Sequence, residues 1–207
     1  MYFRHLWYYN QDMDKLVIAS ANEGKIRELR EMLEPEGYEI LSLKDLKDSF
    51  DVEETGTTFA ENALIKARYI TEKYGLTAIA DDSGLEIDAF GGEPGIYSAR
   101  YLGHDTPYEY KNKIILERMQ GMDHRACRYV CAIAYTSPDG TEQVFEDTCE
   151  CEIALEPAGN RGFGYDPIMY YPPYRKTIAE MDDEEKNQIS HRGKALRKLE
   201  KWLNEQD

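Results

Sequence analysis

What this 207-residue chain lacks narrows its function before any motif is read. It has no apolar run approaching the roughly 20 residues of a spanning helix, so no membrane-crossing segment is expected. The start, Met1 to Asp14, is aromatic and polar and lacks the apolar core of a signal peptide, which leaves the cytoplasm as the default location. Positive charge is scarce: 25 Lys plus Arg stand against 40 Asp plus Glu, a net charge of -15. That balance argues against a duplex nucleic-acid binder, whose affinity comes from neutralising phosphates. A small phosphorylated ligand needs only a local cluster of cations and stays allowed. The four cysteines, Cys127, Cys131, Cys149 and Cys151, lack the two-residue spacing of a zinc knuckle and fall in segments that read as strands. Buried free thiols are expected there rather than zinc. No internal repeat or low-complexity linker divides the chain, so one domain with a sizeable core is expected.

The most informative stretch present is Ala80-Asp81-Asp82-Ser83-Gly84-Leu85. A short apolar run from Thr77 to Ala80 meets two carboxylates and then a Ser-Gly pair, which predicts a strand ending in a turn. Adjacent carboxylates at the end of a buried strand each need a cation, a proton or several donors. A bound divalent metal would satisfy both, and magnesium suits carboxylate oxygens and phosphate chemistry. The alternative is an Asx-type turn carrying two solvated acids.

Around it, strands and helices alternate, which predicts an α/β fold. Lys15 to Ala19 reads as a strand, followed by the loop Ser20-Ala21-Asn22-Glu23-Gly24-Lys25 and then Ile26, Leu29, Met32 and Leu33 at helical spacing. A strand, a small-residue loop and a helix N-terminus make an anion site, although the P-loop pattern is absent. Thr58 and Glu61 have capping-box spacing and open a helix that Gly75 stops. Asn62 and Lys66 share one border of its apolar stripe, where an isolated Lys ordinarily snorkels to water. Another helix is expected from Pro107 to Met119, and a hairpin from Cys127–Tyr135 and Glu142–Cys151 across Ser137-Pro138-Asp139-Gly140. Ser190 reads as the N-cap of a last helix with Ala195, Leu196, Leu199, Trp202 and Leu203 on its buried face.

Six blocks in order now carry a resemblance. They are Ser20-x-Asn22-x-Gly24-Lys25, Glu53-Glu54-Thr55-Gly56-x-Thr58-Phe59-x-Glu61-Asn62-Ala63, the Asp81-Asp82 segment, Pro94-Gly95-Ile96-Tyr97-Ser98-Ala99-Arg100, Gly162-Phe163-Gly164-Tyr165-Asp166-Pro167, and Glu185-Lys186-x4-Ser190-His191-Arg192-Gly193. From Lys15 to about Trp202 the chain resembles the inosine/xanthosine triphosphate pyrophosphatase family, enzymes that remove deaminated purine nucleotides. The resemblance implies a long mixed central sheet flanked by helices, two lobes with the active site between them, and a homodimer. It also implies magnesium-dependent hydrolysis of ITP, dITP or XTP to the monophosphate and pyrophosphate. By that likeness Glu53 and Asp82 are metal ligands, and Asp82 is also the proton acceptor. Ser20, Ala21, Asn22, Glu23, Gly24, Lys25, Ser83, Phe163, Gly164, Tyr165, Asp166, Lys186, His191 and Arg192 contact substrate, and Lys66 steadies the phosphates. The family usually shows Thr-Gly-Asn where this chain has Ser20-Ala21-Asn22, and alanine reaches positive φ only at a cost. Residues 1–14 form an extension before the domain at 15–207.

The residues can supply what phosphoanhydride hydrolysis needs: carboxylates for a metal, cations for phosphates, a base for water and a seat for the nucleobase. Phe163 or Tyr165 can stack a purine, and His191 and Arg192 offer donors to a 6-oxo edge. Against that, His191 and Arg192 can also be plain first-turn decoration of a helix. A pyrimidine-directed pyrophosphatase of the septum-formation type and a non-catalytic nucleotide sensor are the competing classes. The Ser-His-Arg block and the Gly-Phe-Gly-Tyr-Asp loop count against the former, and Glu53, Lys66 and Asp82 against the latter.

Overall fold

The computed structural model describes residues 15–49 and 52–206, so the expected amino-terminal extension lies outside the described residues. The elements in order are β1 (Lys15–Ile18), α1 (Glu23–Leu33), β2 (Glu39–Ser42), α2 (Phe59–Tyr74), β3 (Ala78–Ile87), α3 (Tyr108–Arg118), β4 (Ala126–Thr136), β5 (Glu142–Ile153), β6 (Met169–Tyr171), β7 (Lys176–Thr177), α4 (Asp183–Ile189) and α5 (His191–Asn204). The strands form one sheet in the order β2-β1-β3-β4-β5-β6-β7. β2, β1 and β3 are parallel, and the remaining pairings are antiparallel. The fold is α/β with a mixed sheet, as the alternation of elements predicts.

Local sequence explains the helix ends. Thr58 caps α2 by accepting from the Glu61 amide at 3.1 Å, and Gly75 stops the helix at φ +64. The Glu61 carboxylate accepts from the Thr57 amide at 2.6 Å, one residue earlier than a capping box would place it. Ser190 caps α5 by accepting from Gly193. β4 and β5 close on a turn in which the Gly140 amide bonds the Ser137 carbonyl.

Alternation along the strands sends successive residues to opposite faces. Leu16, Ile18, Ile79 and Ile133 bury one face against α1 and α5, through Leu29, Leu33, Leu196 and Leu199. Val17, Ala78, Ala80 and Ala132 bury the other against Ala63, Ala67 and Ile70 of α2. The small side chains there let α2 lie close to the sheet. A third cluster joins Leu85, Ile87, Tyr129 and Ile153 to Ile115 of α3 and Ile189 of α4.

The pairing of β1 with β3 ends at Ile18 and Ile79, while β3 runs on to Ile87. A crevice opens past the carboxyl end of β1, the position where open α/β sheets bind ligands. The expected turn at Ser83-Gly84 is absent, because β3 passes straight through and pairs with β4 from Ala78 to Ile87. Gly84 serves close approach instead of turning: a Cβ there would collide with the Gly95 carbonyl and the Ser98 hydroxyl.

Candidate active site

The crevice holds a cavity of about 810 Å³. Every expected site residue lines it except Glu23 and Gly24. Glu23, the first residue of α1, instead turns its side chain outward and pairs with Lys44. Gly24 contributes space, since a Cβ on it would sit 2.8 Å from the Phe163 ring. Asn22 is the N-cap of α1, its Oδ1 accepting from the Gly24 and Lys25 amides at 3.0 and 3.2 Å. Its own amide donates to Ser20 Oγ at 3.1 Å. Ala21 is not among the described residues with positive φ, so the departure from Gly carries no backbone strain.

Asp81 and Asp82 leave β3 on opposite faces and meet opposite surroundings. Asp81 is 1% exposed. Its carboxylate accepts from Arg192 Nε at 2.7 Å, from Ser83 Oγ at 2.8 Å and from Cys131 Sγ at 3.1 Å, with Lys25 Nζ at 2.5 Å. Burial alone would raise its pKa, but the Arg192 guanidinium and the Lys25 ammonium overcome that and hold it well below the usual carboxylate range. Asp81 is thus satisfied by cations of the protein itself. Arg192 is itself shared with Glu28 of α1, and Lys186 bridges Glu28 and Asp166 at 2.7 Å each.

Asp82 faces α2. Lys66, 6% exposed and far from the snorkelling arrangement, donates to Asp82 Oδ1 at 2.7 Å, to Glu54 Oε1 at 2.9 Å and to the Asp81 carbonyl at 2.9 Å. Its pKa is raised because Asp82 and Glu54 outweigh its burial. Asp82 Oδ2 is buried with no hydrogen-bond partner among the described residues. Burial pushes the Asp82 carboxyl above its ordinary value despite Lys66 and Lys25. A partly desolvated carboxylate with one idle oxygen is a better base than a solvated one.

The other end of the cavity suits a flat ring. Phe163 is half-buried, with Lys186 Nζ 4.9 Å and the Arg192 guanidinium 5.8 Å from its ring centre. Of the two candidate stacking residues, Phe163 is the available one. Tyr165 is 3% exposed, packs edge-on against Tyr108 and donates to the Ser98 carbonyl at 2.7 Å. Asp166 holds the loop by accepting from the Phe163 amide at 2.9 Å, from Lys186 and from Tyr129 Oη at 3.0 Å. His191 stacks on Tyr129 at 4.6 Å, and its Nδ1 has no partner among the described residues. Burial and then Arg192 drive its pKa well below the usual histidine value, so it is neutral. His191 and Arg192 therefore carry one positive charge between them. Three of the five Arg192 N–H groups meet Asp81, Glu28 and Ser83, which leaves two to donate.

Glu28, Glu54 and Tyr129 belong to this site and were not singled out from the sequence. Glu28 had a signal: it follows Lys25 by three positions on the buried side of α1, beside Leu29. Among the described residues no three His, Cys, Asp or Glu side chains form a ready metal cluster. Asp82, Glu53 and Glu54 each line the cavity, and their all-oxygen chemistry, with an orphaned oxygen on Asp82, suits a hard cation that keeps its own waters.

Comparisons with known proteins converge on one family. The family model described as the Ham1 family matches residues 16–202. A dITP/XTP pyrophosphatase of Thermus thermophilus is 50% identical over 187 residues, covering 89% of each chain. One from Exiguobacterium is 47% identical over 186 residues, 90% of this chain and 95% of that protein. The Staphylococcus aureus Ham1 protein superposes with a TM-score of 0.85 at 42% identity, covering 94% of this chain and all of the other. The chain belongs to the Ham1 family.

Proposed function

We propose that this Ham1-family chain hydrolyses non-canonical purine nucleoside triphosphates, ITP, dITP and XTP, to the monophosphate and pyrophosphate, clearing them from the nucleotide pool. The observation that carries the reading is the division of labour across β3: a cation-saturated Asp81 beside a ring-sized seat, and an Asp82 whose Oδ2 is left idle in the same cavity. The relatives' printed activity supports the same substrate class.

In this reading the base lies along Phe163, and the spare N–H groups of Arg192 with neutral His191 meet the 6-oxo edge. Adenine would turn an amino donor toward donors, leaving groups unpaired on both sides. The α-phosphate comes to Asp82. Asp82 Oδ2 takes the proton of the attacking water as its oxygen bonds to phosphorus, and the oxygen bridging to the β-phosphate departs with the pyrophosphate. Lys66 fixes Oδ1 so that Oδ2 faces the water. Asp82, Glu53 and Glu54 would hold magnesium, which when bound neutralises phosphate charge. The reading also includes a homodimer in the cytoplasm, which light scattering of the purified chain checks for its assembly part. The direct test is pyrophosphate release from ITP, XTP, GTP, ATP and UTP with magnesium and with EDTA. ITP and XTP should lead, ATP should be negligible, and EDTA should abolish turnover. Equal kcat/KM for ATP and ITP, or full activity without metal, would overturn it.

A further inference from the structure

Most of the cavity's cations are already committed. Lys66 has three N–H groups, and three acceptors take them: Glu54, the Asp81 carbonyl and Asp82. Lys25 is against Asp81, and Lys186 spans Glu28 and Asp166. Arg192 meets Asp81, Glu28 and Ser83 and keeps two N–H groups for the base. A triphosphate brings several negative charges into a cavity walled by Glu53, Glu54 and Asp82, so it needs more donors than the single N–H that Lys25 and Lys186 each leave over.

Arg100 has one. It lines the same cavity and, among the described residues, is tied to protein by a single side-chain hydrogen bond, from Nη1 to Glu54 Oε2 at 3.2 Å, with its guanidinium 4.9 Å from the Tyr97 ring centre. Four of its five N–H groups are thus uncommitted, in the fork that binds phosphate oxygens in pairs.

The segment that presents Arg100 is by contrast fixed hard. Gly95–Arg100 is a 3₁₀ turn. Ser98 Oγ accepts from the Leu85 amide at 2.8 Å and donates to the Gly95 carbonyl at 2.6 Å. Tyr165 Oη donates to the Ser98 carbonyl at 2.7 Å. Lys111 of α3, 1% exposed, spends its ammonium on the Ala99 carbonyl at 2.6 Å. Burying a lysine to hold one carbonyl is costly. What it secures is the peptide immediately before Arg100.

We propose that Arg100 binds the two phosphates that leave as pyrophosphate, giving up Glu54 to do so. This rests on the pyrophosphohydrolase reading above. The geometry makes Arg100 a leaving-group residue, separate from the base seat at Phe163 and Arg192.

Arg100→Met keeps the stem and removes the fork. In the magnesium-loaded enzyme the Ki of pyrophosphate and the KM of ITP should each rise about tenfold or more, as loss of charge-assisted hydrogen bonds predicts. The Ki of IMP should stay within about twofold, since IMP lacks those phosphates. Arg100→Lys should recover only part of the loss, because an ammonium cannot reproduce the fork; it also serves if Arg100→Met does not fold. Unchanged pyrophosphate Ki and ITP KM in a folded variant would overturn the proposal, and so would an equal rise in the Ki of IMP. Should the wild type fail to hydrolyse ITP, the activity reading falls, and calorimetric titration of pyrophosphate into wild type and Arg100→Met still decides this one. Weaker binding to the variant supports Arg100, and equal binding refutes it.

Discussion

Asp81 and Asp82 are neighbours in sequence and opposites in circumstance. On the Asp81 side, Glu28, Asp81 and Asp166 face Lys25, Lys186 and Arg192, so charge is matched, and cations hold Glu28 and Asp81 in their ionised forms. On the Asp82 side, Asp82 and Glu54 share Lys66, and Asp82 keeps an oxygen without a partner among the described residues and a raised pKa. One residue's shift along an extended strand separates a carboxylate saturated by cations from one with an idle oxygen. In the proposed reaction the Asp81 side chooses the substrate and the Asp82 side supplies the base.

The largest effect expected on the matched side is selectivity. Donors aimed at a 6-oxo group can reject adenine by roughly 10⁴–10⁵-fold. Arg192→Ala should collapse the ITP-to-ATP ratio of kcat/KM as well as the rate. A ratio unchanged in that variant would remove Arg192 from base reading.

Next is Asp81→Asn. Removing one partner of a buried, paired charge costs about 3–5 kcal/mol, because Arg192 keeps its charge and loses an acceptor. Urea unfolding at pH 7 should show that loss. The Asp81 pKa is depressed when folded, so its stabilisation is complete above the ordinary 3.8 and is lost only as pH falls through the depressed value. Wild type and variant should therefore converge only in strong acid. Convergence near neutrality would break the contrast between the two acids.

A smaller effect sharpens the other side. Asp82 must be ionised to act as base, so kcat/KM should fall with acid. Lys66→Met removes the ammonium that favours the ionised form, so the acid limb should move to higher pH. A limb that stayed in place would mean that Lys66 does not govern Asp82. The smallest effect concerns the first loop. Ala21→Gly should lower stability by about 0.4–1 kcal/mol, since Ala21 is not held at positive φ and glycine only adds freedom to the unfolded chain. A gain in the thermal midpoint would contradict that backbone reading.

The elements legible in the sequence were those whose local chemistry agrees with their tertiary setting. Thr58 and Gly75 bracket α2, Ser190 opens α5, and the apolar segments flanking Ser137-Pro138-Asp139-Gly140 mark the β4–β5 hairpin. β3 was legible only in its first half, because two acids and a Ser-Gly pair mimic a turn. The glycine instead admits the Gly95 carbonyl, a contact eleven residues away that no local pattern encodes. The block order brought out nearly all the residues that line the cavity, but not how their charges pair. That Asp81 belongs to Arg192, 111 positions later, is decided by which face of β3 meets α5. Glu28 was hidden by looking like an ordinary polar position of an amphipathic helix.

The most direct test of the division between the two acids is Asp82→Asn, assayed for rate and for stability in one buffer at pH 7. The raised Asp82 pKa means that the ionised side chain costs folding stability above that pKa, a cost that disappears below 3.8. Replacing it with a neutral side chain of the same shape should lower kcat for ITP by roughly 10²–10⁴-fold, while the thermal midpoint falls less than in Asp81→Asn, because Glu54 still faces Lys66. A wild-type kcat, or a midpoint that drops as far as that of Asp81→Asn, would contradict the account.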